Sequence, residues 1–184
     1  MGITAFETNN YLVQLAEKLQ SASQPQLHQA IVNAPFQDKL FSTHLGLGIV
    51  VLLLVNPETK TIDRIALSDT YPAQGAVRMS AKPFKEITIP LDHAHNLIAK
   101  AIQQGARQLT ADWKYLFIPD LTPREARFNQ AGAGIECSYV YPLIGPKGKG
   151  AIIFSYFEPP DKVGPEQQYF MESYNALVFD RLGL

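Results

Sequence analysis

The sequence predicts an α+β domain in which a central antiparallel sheet of about five to six strands is flanked by helices. Two hairpin patterns indicate this class. Runs rich in β-branched and aromatic residues at 135–144 and 151–158 are separated by a Gly/Lys loop, and similar runs at 47–55 and 62–67 by a Pro-containing turn. The third observation is a terminal helix after Pro165, in which apolar residues recur at spacings of three and four.

Composition limits the possible partners and compartment. With 184 residues and 46% hydrophobic content, the chain fits one domain that can bury a core. A net charge of -1 gives no electrostatic reason to expect nucleic-acid binding. The longest apolar run, 45–55, is far shorter than the roughly 20 residues a bilayer requires, so no membrane partner is expected. One cysteine precludes an intramolecular disulfide and residues 1–7 lack a secretory signal pattern, which together predict a cytoplasmic protein.

The N-terminal part of the chain is predicted to be a helical segment, residues 1–35, with the main domain at 36–184. Apolar residues at helical spacing from Tyr11 onward predict one helix, capped by Thr8 or Asn9. A second, shorter helix follows and ends where proline forces the preceding residue out of the helical conformation.

The middle of the chain alternates loop, strand and helix. After the first hairpin we expect a polar connection at 68–83 and a short edge strand at 84–91, where a proline limits the pairing. Asp92 is expected to cap a helix that ends near Gly105. A short strand is predicted at 115–118.

The last helix before the second hairpin carries a sequence signature for its own start. Thr122 is predicted as the cap, Pro123 as the first helical residue and Glu125 as the third. This spacing is that of a capping box, in which the Thr and Glu side chains satisfy each other's backbone N–H groups.

The second half of the chain resembles a GAF domain. The run Ile118-Pro119-Asp120-Leu121 matches the family's pattern of a hydrophobic residue followed by Pro and Asp. As in that family, it precedes a short helix and a glycine, here Gly134. The remaining positions of the family's pattern are occupied by Ser138, Pro142, Leu143 and Gly150. The likeness covers roughly residues 40–182.

This resemblance implies an antiparallel sheet flanked by helices, with a small-molecule pocket between one sheet face and the helices that follow the third strand. It also implies a homodimer formed through the first and last helices, which gives residues 1–35 a role in dimerisation. The resemblance identifies neither the ligand nor a cofactor.

Three specialisations of the family are disfavoured by the residues present. Cys137 lies just inside a predicted strand and is followed by Ser138, which does not suit a covalently held bilin. Members that reduce free methionine sulfoxide use several cysteines, because a sulfenic acid on one must be resolved by another. The signature of cyclic-nucleotide-binding members is missing.

The connection at 92–129 supplies most of the candidate pocket residues. Trp113 and Tyr115 form either an aromatic wall or part of the core, and Arg124 and Arg127 either bind an anionic group or make surface salt bridges. The expected ligand-binding residues are His95, Trp113, Tyr115, Arg124, Arg127 and Tyr139. Tyr139 also belongs to an aromatic alternation that sheet packing alone would produce. His93 and His95 stand two apart with no carboxylate cluster, so no metal site is expected.

Three functional hypotheses remain. The first is a non-catalytic sensory or regulatory module, in which a ligand shifts the balance between two packings of the helices. The second is an assembly module that dimerises and has a vestigial pocket. The third, an enzyme, is disfavoured because the sequence shows no nucleophile–base pair, carboxylate pair or metal cluster at a useful spacing. A free-standing domain and a piece of a larger signalling protein are both compatible with the sequence.

Overall fold

The computed structural model of the protein describes residues 5–184, and six strands of these residues form one sheet. The strands are β1 (Leu47–Asn56), β2 (Thr61–Leu67), β3 (Thr88–Pro90), β4 (Gln108–Thr110), β5 (Cys137–Ile144) and β6 (Lys149–Tyr156). Their order across the sheet is β3-β2-β1-β6-β5-β4, and every neighbouring pair is antiparallel. The predicted fold class and both predicted hairpins are confirmed.

Eight α-helices of the described residues cover the two faces of this sheet. They are α1 (Ala5–Ser21), α2 (Leu27–Asn33), α3 (Lys39–Leu45), α4 (Tyr71–Arg78), α5 (Leu97–Gln104), α6 (Lys114–Phe117), α7 (Pro123–Ala133) and α8 (Pro165–Leu182). The helices α1, α2, α3 and α8 pack on one face, which we call the terminal-helix face. The helices α4 to α7 pack on the other, which we call the mid-chain face.

The two central strands, β1 and β6, supply side chains to both faces. Val50 and Leu52 point to the terminal-helix face, whereas Val51 and Leu53 point to the mid-chain face, because successive side chains of a strand alternate. Val51 pairs with Ile153 of β6, so the centre of the sheet is apolar on both sides. The prediction that the first strand is buried on both faces is therefore confirmed.

Aromatic side chains fill the terminal-helix face. The ring of Phe154 lies 6.3 Å from the rings of Phe170 and Tyr174, which stack on each other at 5.7 Å. The buried Tyr174 hydroxyl donates to the carbonyl of Ile31 at 2.7 Å, and that of Tyr11 to Ala34 at 3.2 Å. These hydrogen bonds tie α1, α2 and α8 into one layer.

Two mid-chain helices differ from the sequence-based expectation. The helix α4 lies within 68–83, which we predicted to be a connection; the Thr70 hydroxyl caps it by accepting a first-turn N–H at 3.4 Å. The strand predicted at 115–118 is wrong, because this segment forms most of the short helix α6. The Asp112 carboxylate accepts the N–H of Lys114 at 3.0 Å and so turns the chain into that helix.

The helix α5 begins later than predicted. Its cap is Asn96 and not Asp92, because the Asn96 side-chain oxygen accepts the N–H groups of Ile98 and Ala99 at 2.8 and 3.2 Å. The predicted end near Gly105 is confirmed. Gly105 adopts the left-handed conformation, φ 64°, that ends many helices.

Other boundaries shift as well. The edge strand predicted at 84–91 shortens to the three residues of β3, because a 3-10 turn closed by the Glu86 N–H and the Pro83 carbonyl precedes it. The strand β4 had no counterpart in the prediction. Thr8 and Asn9 lie inside α1 and do not cap it.

The start of α7 and the whole of α8 follow the prediction. Thr122 and Glu125 form the expected capping box, with the Thr122 N–H donating to the Glu125 carboxylate at 2.8 Å. Within residues 5–184, no helix combines the length and hydrophobicity that a membrane crossing requires. The signal-peptide prediction concerns residues 1–7, of which 1–4 lie outside the described residues.

Candidate functional site

A cavity of about 50 Å³ lies on the mid-chain face, between the sheet and the helices α4, α6 and α7. Most of its wall is apolar, including Ile49, Val51, Trp113, Leu116, Phe117 and Ile153. Four polar side chains also line it: Arg64, Ser80, Asn129 and Ser155. An apolar space with a few polar groups is the usual form of a small-molecule site.

Glycines bring the two helices above the cavity together. A Cβ added at Gly75 of α4 would collide with the carbonyl oxygen of Gly132 in α7. The two helices therefore pack backbone against backbone at this point, which only glycine permits. These two helices, which we call the roof of the cavity, contribute Ala76, Val77 and Asn129 to its lining.

Arg64 is the charged group of the site. It extends from β2, and only 5% of its surface is exposed. The guanidinium lies over the ring of Phe117, 4.3 Å from the centroid, and 5.7 Å from that of Phe84. Its Nη2 donates to the Leu116 carbonyl at 3.3 Å, while its Nε has no hydrogen-bond partner.

The charge of Arg64 has no direct counterion among residues 5–184. None of their carboxylates lies within 4.0 Å of the guanidinium. Burial lowers the pKa of Arg64 to about 10, partly opposed by the charge of Asp120, so the group stays protonated at neutral pH. Asp120 itself pairs with Lys82 and accepts the Thr88 N–H at 3.2 Å. Burying a cation without a paired acid costs free energy, so an anion bound next to Arg64 would be stabilised.

Asn129 contributes a second unpaired atom. The residue lies on α7 and is 2% exposed. Its Nδ2 donates to the Ser80 hydroxyl at 3.3 Å, and its Oδ1 has no partner. Buried polar atoms in proteins are nearly always hydrogen-bonded, so the unpaired Oδ1 and the unpaired Arg64 Nε mark this cavity.

A hydrogen-bonded chain fixes the tryptophan of the cavity wall. The Trp113 Nε1 donates to the Ser138 hydroxyl at 2.8 Å, and Ser138 and Ser155 share a hydrogen bond of 2.8 Å. Ser155 returns this chain to the cavity lining. The indole ring is thereby held as a rigid part of the wall.

A surface groove of about 480 Å³ adjoins the cavity. The two spaces share the lining residues Leu67, Val77 and Phe84, which we call the neck. The volume of the groove falls in the range of roughly 300–1,000 Å³ typical of ligand sites. The same three side chains therefore form part of the wall of both spaces.

Of the six residues predicted to bind a ligand, the structure places Trp113 at the cavity. Arg127 forms the alternative surface salt bridge, to Asp112 at 2.9 Å, and Arg124 stacks at 5.4 Å from the exposed ring of Phe128. Tyr115 and His95 are exposed, and neither of them lines the cavity.

Tyr139 lies on the opposite side of the sheet from the cavity. Its ring is buried in the terminal-helix face and meets Tyr156 edge-on at 6.0 Å. The alternation along β5 that made it an aromatic candidate also turns it away from the mid-chain helices. The packing interpretation of this aromatic set is the one the structure supports.

Sequence reasoning missed Arg64 and Asn129. The available signal for Arg64 was its position two residues after Ile62, which puts its side chain on the buried side of β2. Asn129 had no such signal, because its burial depends on the contact between α4 and α7. Among the described residues, no group of three or more His, Cys, Asp or Glu side chains comes together as a metal site would require.

Comparisons with known proteins give a match by structure. No protein-family model and no curated protein sequence matches the chain. The GAF domain of a phosphoenolpyruvate-protein phosphotransferase from Coxiella burnetii superposes with a TM-score of 0.67 at 12% identity, covering 98% of this chain and 95% of that one.

Two further solved structures show the same likeness with different activities. A free methionine-R-sulfoxide reductase from Neisseria meningitidis, solved with its substrate, gives a TM-score of 0.60 at 11% identity over 100% of this chain and 94% of that one. The phycoerythrobilin-bound GAF domain of a cyanobacterial phytochrome gives 0.58 at 13% identity over 99% and 95%. At these identities the likeness concerns the fold alone.

Proposed function

We propose that this chain, which has the GAF fold, is a regulatory domain that binds a small molecule in the cavity of the mid-chain face. The observation that carries the proposal is the pair of unpaired buried atoms, Arg64 Nε and Asn129 Oδ1, at an otherwise apolar cavity. Leaving a buried polar group unpaired costs about 1–3 kcal/mol. A ligand that pairs with both atoms removes this cost and gains affinity.

The proposed binding residues replace most of the set expected from sequence. Trp113 keeps its proposed role in the wall, and Arg64 and Asn129 take the polar roles that we had assigned to Arg124 and Arg127. This change follows from burial, because a polar group that is shielded from water distinguishes its partners more strongly than an exposed one.

The roof of the cavity is the proposed route from binding to output. A ligand that fills the space beneath α4 and α7 favours the helix packing that accommodates it over any packing that does not. We include in this proposal the cytoplasmic location and the homodimer through α1 and α8, which would transmit such a change to a partner chain.

A non-catalytic role is supported by the chemistry of the cysteine. Cys137 is the only cysteine of the sequence, and burial raises the pKa of its thiol to about 12. Thiolate is the reactive form of cysteine, and very little of it exists at neutral pH with such a pKa. The residue therefore differs from the exposed, low-pKa thiols that carry out redox chemistry.

Native mass spectrometry of the freshly purified protein, followed by thermal-shift screening with a metabolite panel, tests the proposal. We expect a retained or added small molecule in the wild type. Ala76→Leu, which fills cavity space from α4, should abolish its binding, whereas Ala131→Leu on the exposed side of α7 should leave it unchanged. If nothing binds the wild type while the dimer is present, the assembly hypothesis replaces this one.

A further inference from the structure

We infer that the ligand is a short hydroxy acid, whose carboxylate pairs with Arg64 and whose hydroxyl donates to Asn129. This inference rests on the proposed function and adds the chemical class of the ligand. It follows from three properties of the site: a buried cation without a paired acid, the donor or acceptor character of its two unpaired atoms, and its size.

The positive charge of Arg64 favours an anionic ligand. Asp120 pairs with Lys82, and no carboxylate in the part of the chain described lies within 4.0 Å of the Arg64 guanidinium. The planar guanidinium matches a carboxylate, because its N–H groups form parallel hydrogen bonds to the two oxygens. Its Nε supplies a donor that no protein group uses.

The orientation of the Asn129 amide requires a hydrogen-bond donor on the ligand. The Ser80 hydroxyl has one hydrogen, which it donates to the Lys82 carbonyl at 2.7 Å, so it can only accept from the Asn129 amide. This fixes Nδ2 toward Ser80 and leaves Oδ1 as the free atom, which accepts hydrogen bonds and cannot donate them.

The neighbouring charge decides between the two kinds of donor. An ammonium group beside Asn129 would be a second cation in the cavity that holds the Arg64 guanidinium, and like charges repel strongly where water is excluded. A hydroxyl donates without adding charge. A hydroxy acid therefore matches the chemistry of both unpaired atoms, whereas an amino acid adds a second positive charge.

The size of the cavity selects short acids. Its 50 Å³ is a few times the roughly 10–15 Å³ that a cavity needs to hold one water molecule. The polar end of a small acid fills this space, and the apolar wall contacts its carbon atoms. A longer chain would not fit in this space alone.

The fluorescence of Trp113 provides a direct assay, because it is the only tryptophan of the chain and lines the cavity. We would titrate the protein with lactate, with propanoate, which lacks the hydroxyl, and with lactamide, which lacks the charge. The wild type should bind lactate about 2- to 10-fold more tightly than propanoate, the effect of one neutral hydrogen bond. Its preference for lactate over lactamide should be at least about 10-fold, because a charged hydrogen bond is stronger.

Two variants separate the contributions. Asn129→Leu should remove the preference for lactate over propanoate and keep the preference for the acid over the amide. Arg64→Met should remove the preference for the acid over the amide. Arg64→Met should also unfold at a urea concentration no lower than that of the wild type, because it removes a buried charge that has no paired acid. A loss of binding in this variant is then not a loss of fold.

The possible failures are distinguishable. Equal affinity for lactate and lactamide in the wild type overturns the hydroxy-acid inference and leaves the proposed function standing. The same conclusion holds if none of the three probes binds while native mass spectrometry detects another small molecule. If no small molecule binds in either experiment, the proposed function fails as well.

Discussion

The two faces of the sheet are built from the same strands but satisfy their polar groups differently. On the terminal-helix face, the hydroxyls of Tyr11 and Tyr174 donate to backbone carbonyls, although the Tyr156 hydroxyl and the Asn175 Oδ1 have no partner and line no part of the cavity. On the mid-chain face, the unpaired atoms belong to Arg64, which is charged, and to Asn129 beside it at a cavity. The difference between the faces is that the unpaired atoms of the mid-chain face belong to residues that line a cavity.

This division explains why a small domain tolerates an unpaired buried charge. A loss of about 1–3 kcal/mol is a large fraction of the stability of an ordinary domain, so it persists only where packing elsewhere compensates. The aromatic layer of Phe154, Phe170 and Tyr174 supplies such packing on the opposite side of β6.

The largest expected effect comes from removing an aromatic ring of the terminal-helix face. Phe154→Ala should lower the free energy of unfolding by about 3–5 kcal/mol, because its ring is fully buried among other rings. Phe84→Ala at the neck should cost less than about 2 kcal/mol, because its ring is partly exposed. Urea unfolding followed by circular dichroism measures both. Equal losses would contradict the division between the faces.

A smaller effect is expected where the roof helices touch. Gly75→Ala should lower the free energy of unfolding by about 1–3 kcal/mol, because the new methyl group collides with the backbone of Gly132. This loss runs against the helix propensity of alanine, which alone would stabilise α4 by about 0.5–1 kcal/mol. Gln74→Ala, at the exposed preceding position, serves as the control and should change stability by no more than about 0.5 kcal/mol. A stabilised Gly75→Ala would show that the helices do not meet as described.

Sequence patterns predicted the elements whose signals are local. Each hairpin strand is either apolar throughout or alternates apolar and polar residues, and this pattern lies within the strand itself. The start of α7 is likewise marked by its own residues, the capping box of Thr122 and Glu125. The helix α4 was missed because its place depends on the close approach of Gly75 and Gly132, which are far apart in the chain. The segment 115–118 is a short apolar run, for which periodicity does not separate strand from helix.

The candidate site was less predictable for the same physical reason. Trp113 stood out because it is a large aromatic residue beside a break in structure. The role of Arg64 depends on groups from α6, the Leu116 carbonyl and the Phe117 ring, that tertiary folding brings to it. A charged residue in a strand normally points to solvent, and this expectation from residue type opposed the alternation that places Arg64 on the same face as Ile62.

At neutral pH the smallest effect on stability is expected from Cys137, whose thiol is buried in the terminal-helix face. The pKa of its thiol is raised from 9.0 to about 12, chiefly by burial, so at pH 9 the folded protein keeps the thiol protonated while the unfolded chain is half ionised. Alkylation by iodoacetamide at that pH should be at least about a hundredfold slower in the native than in the urea-unfolded protein. In a Cys137→Ala background, Ser80→Cys at the cavity, where the side chain is only partly buried, should react faster than native Cys137.

The same pKa shift predicts a pH dependence of stability with a definite sign. The folded state holds a proton that the unfolded state releases, so the contribution of Cys137 to the free energy of unfolding should fall as the pH rises from 9 toward 12. At neutral pH the thiol is protonated in both the folded and the unfolded state, so its ionisation does not affect the free energy of unfolding there. Urea unfolding of the wild type and of Cys137→Ala at several pH values measures it as the change in their difference. A difference that stays constant, together with rapid native alkylation, would mean that the terminal-helix face opens as readily as the face with the cavity.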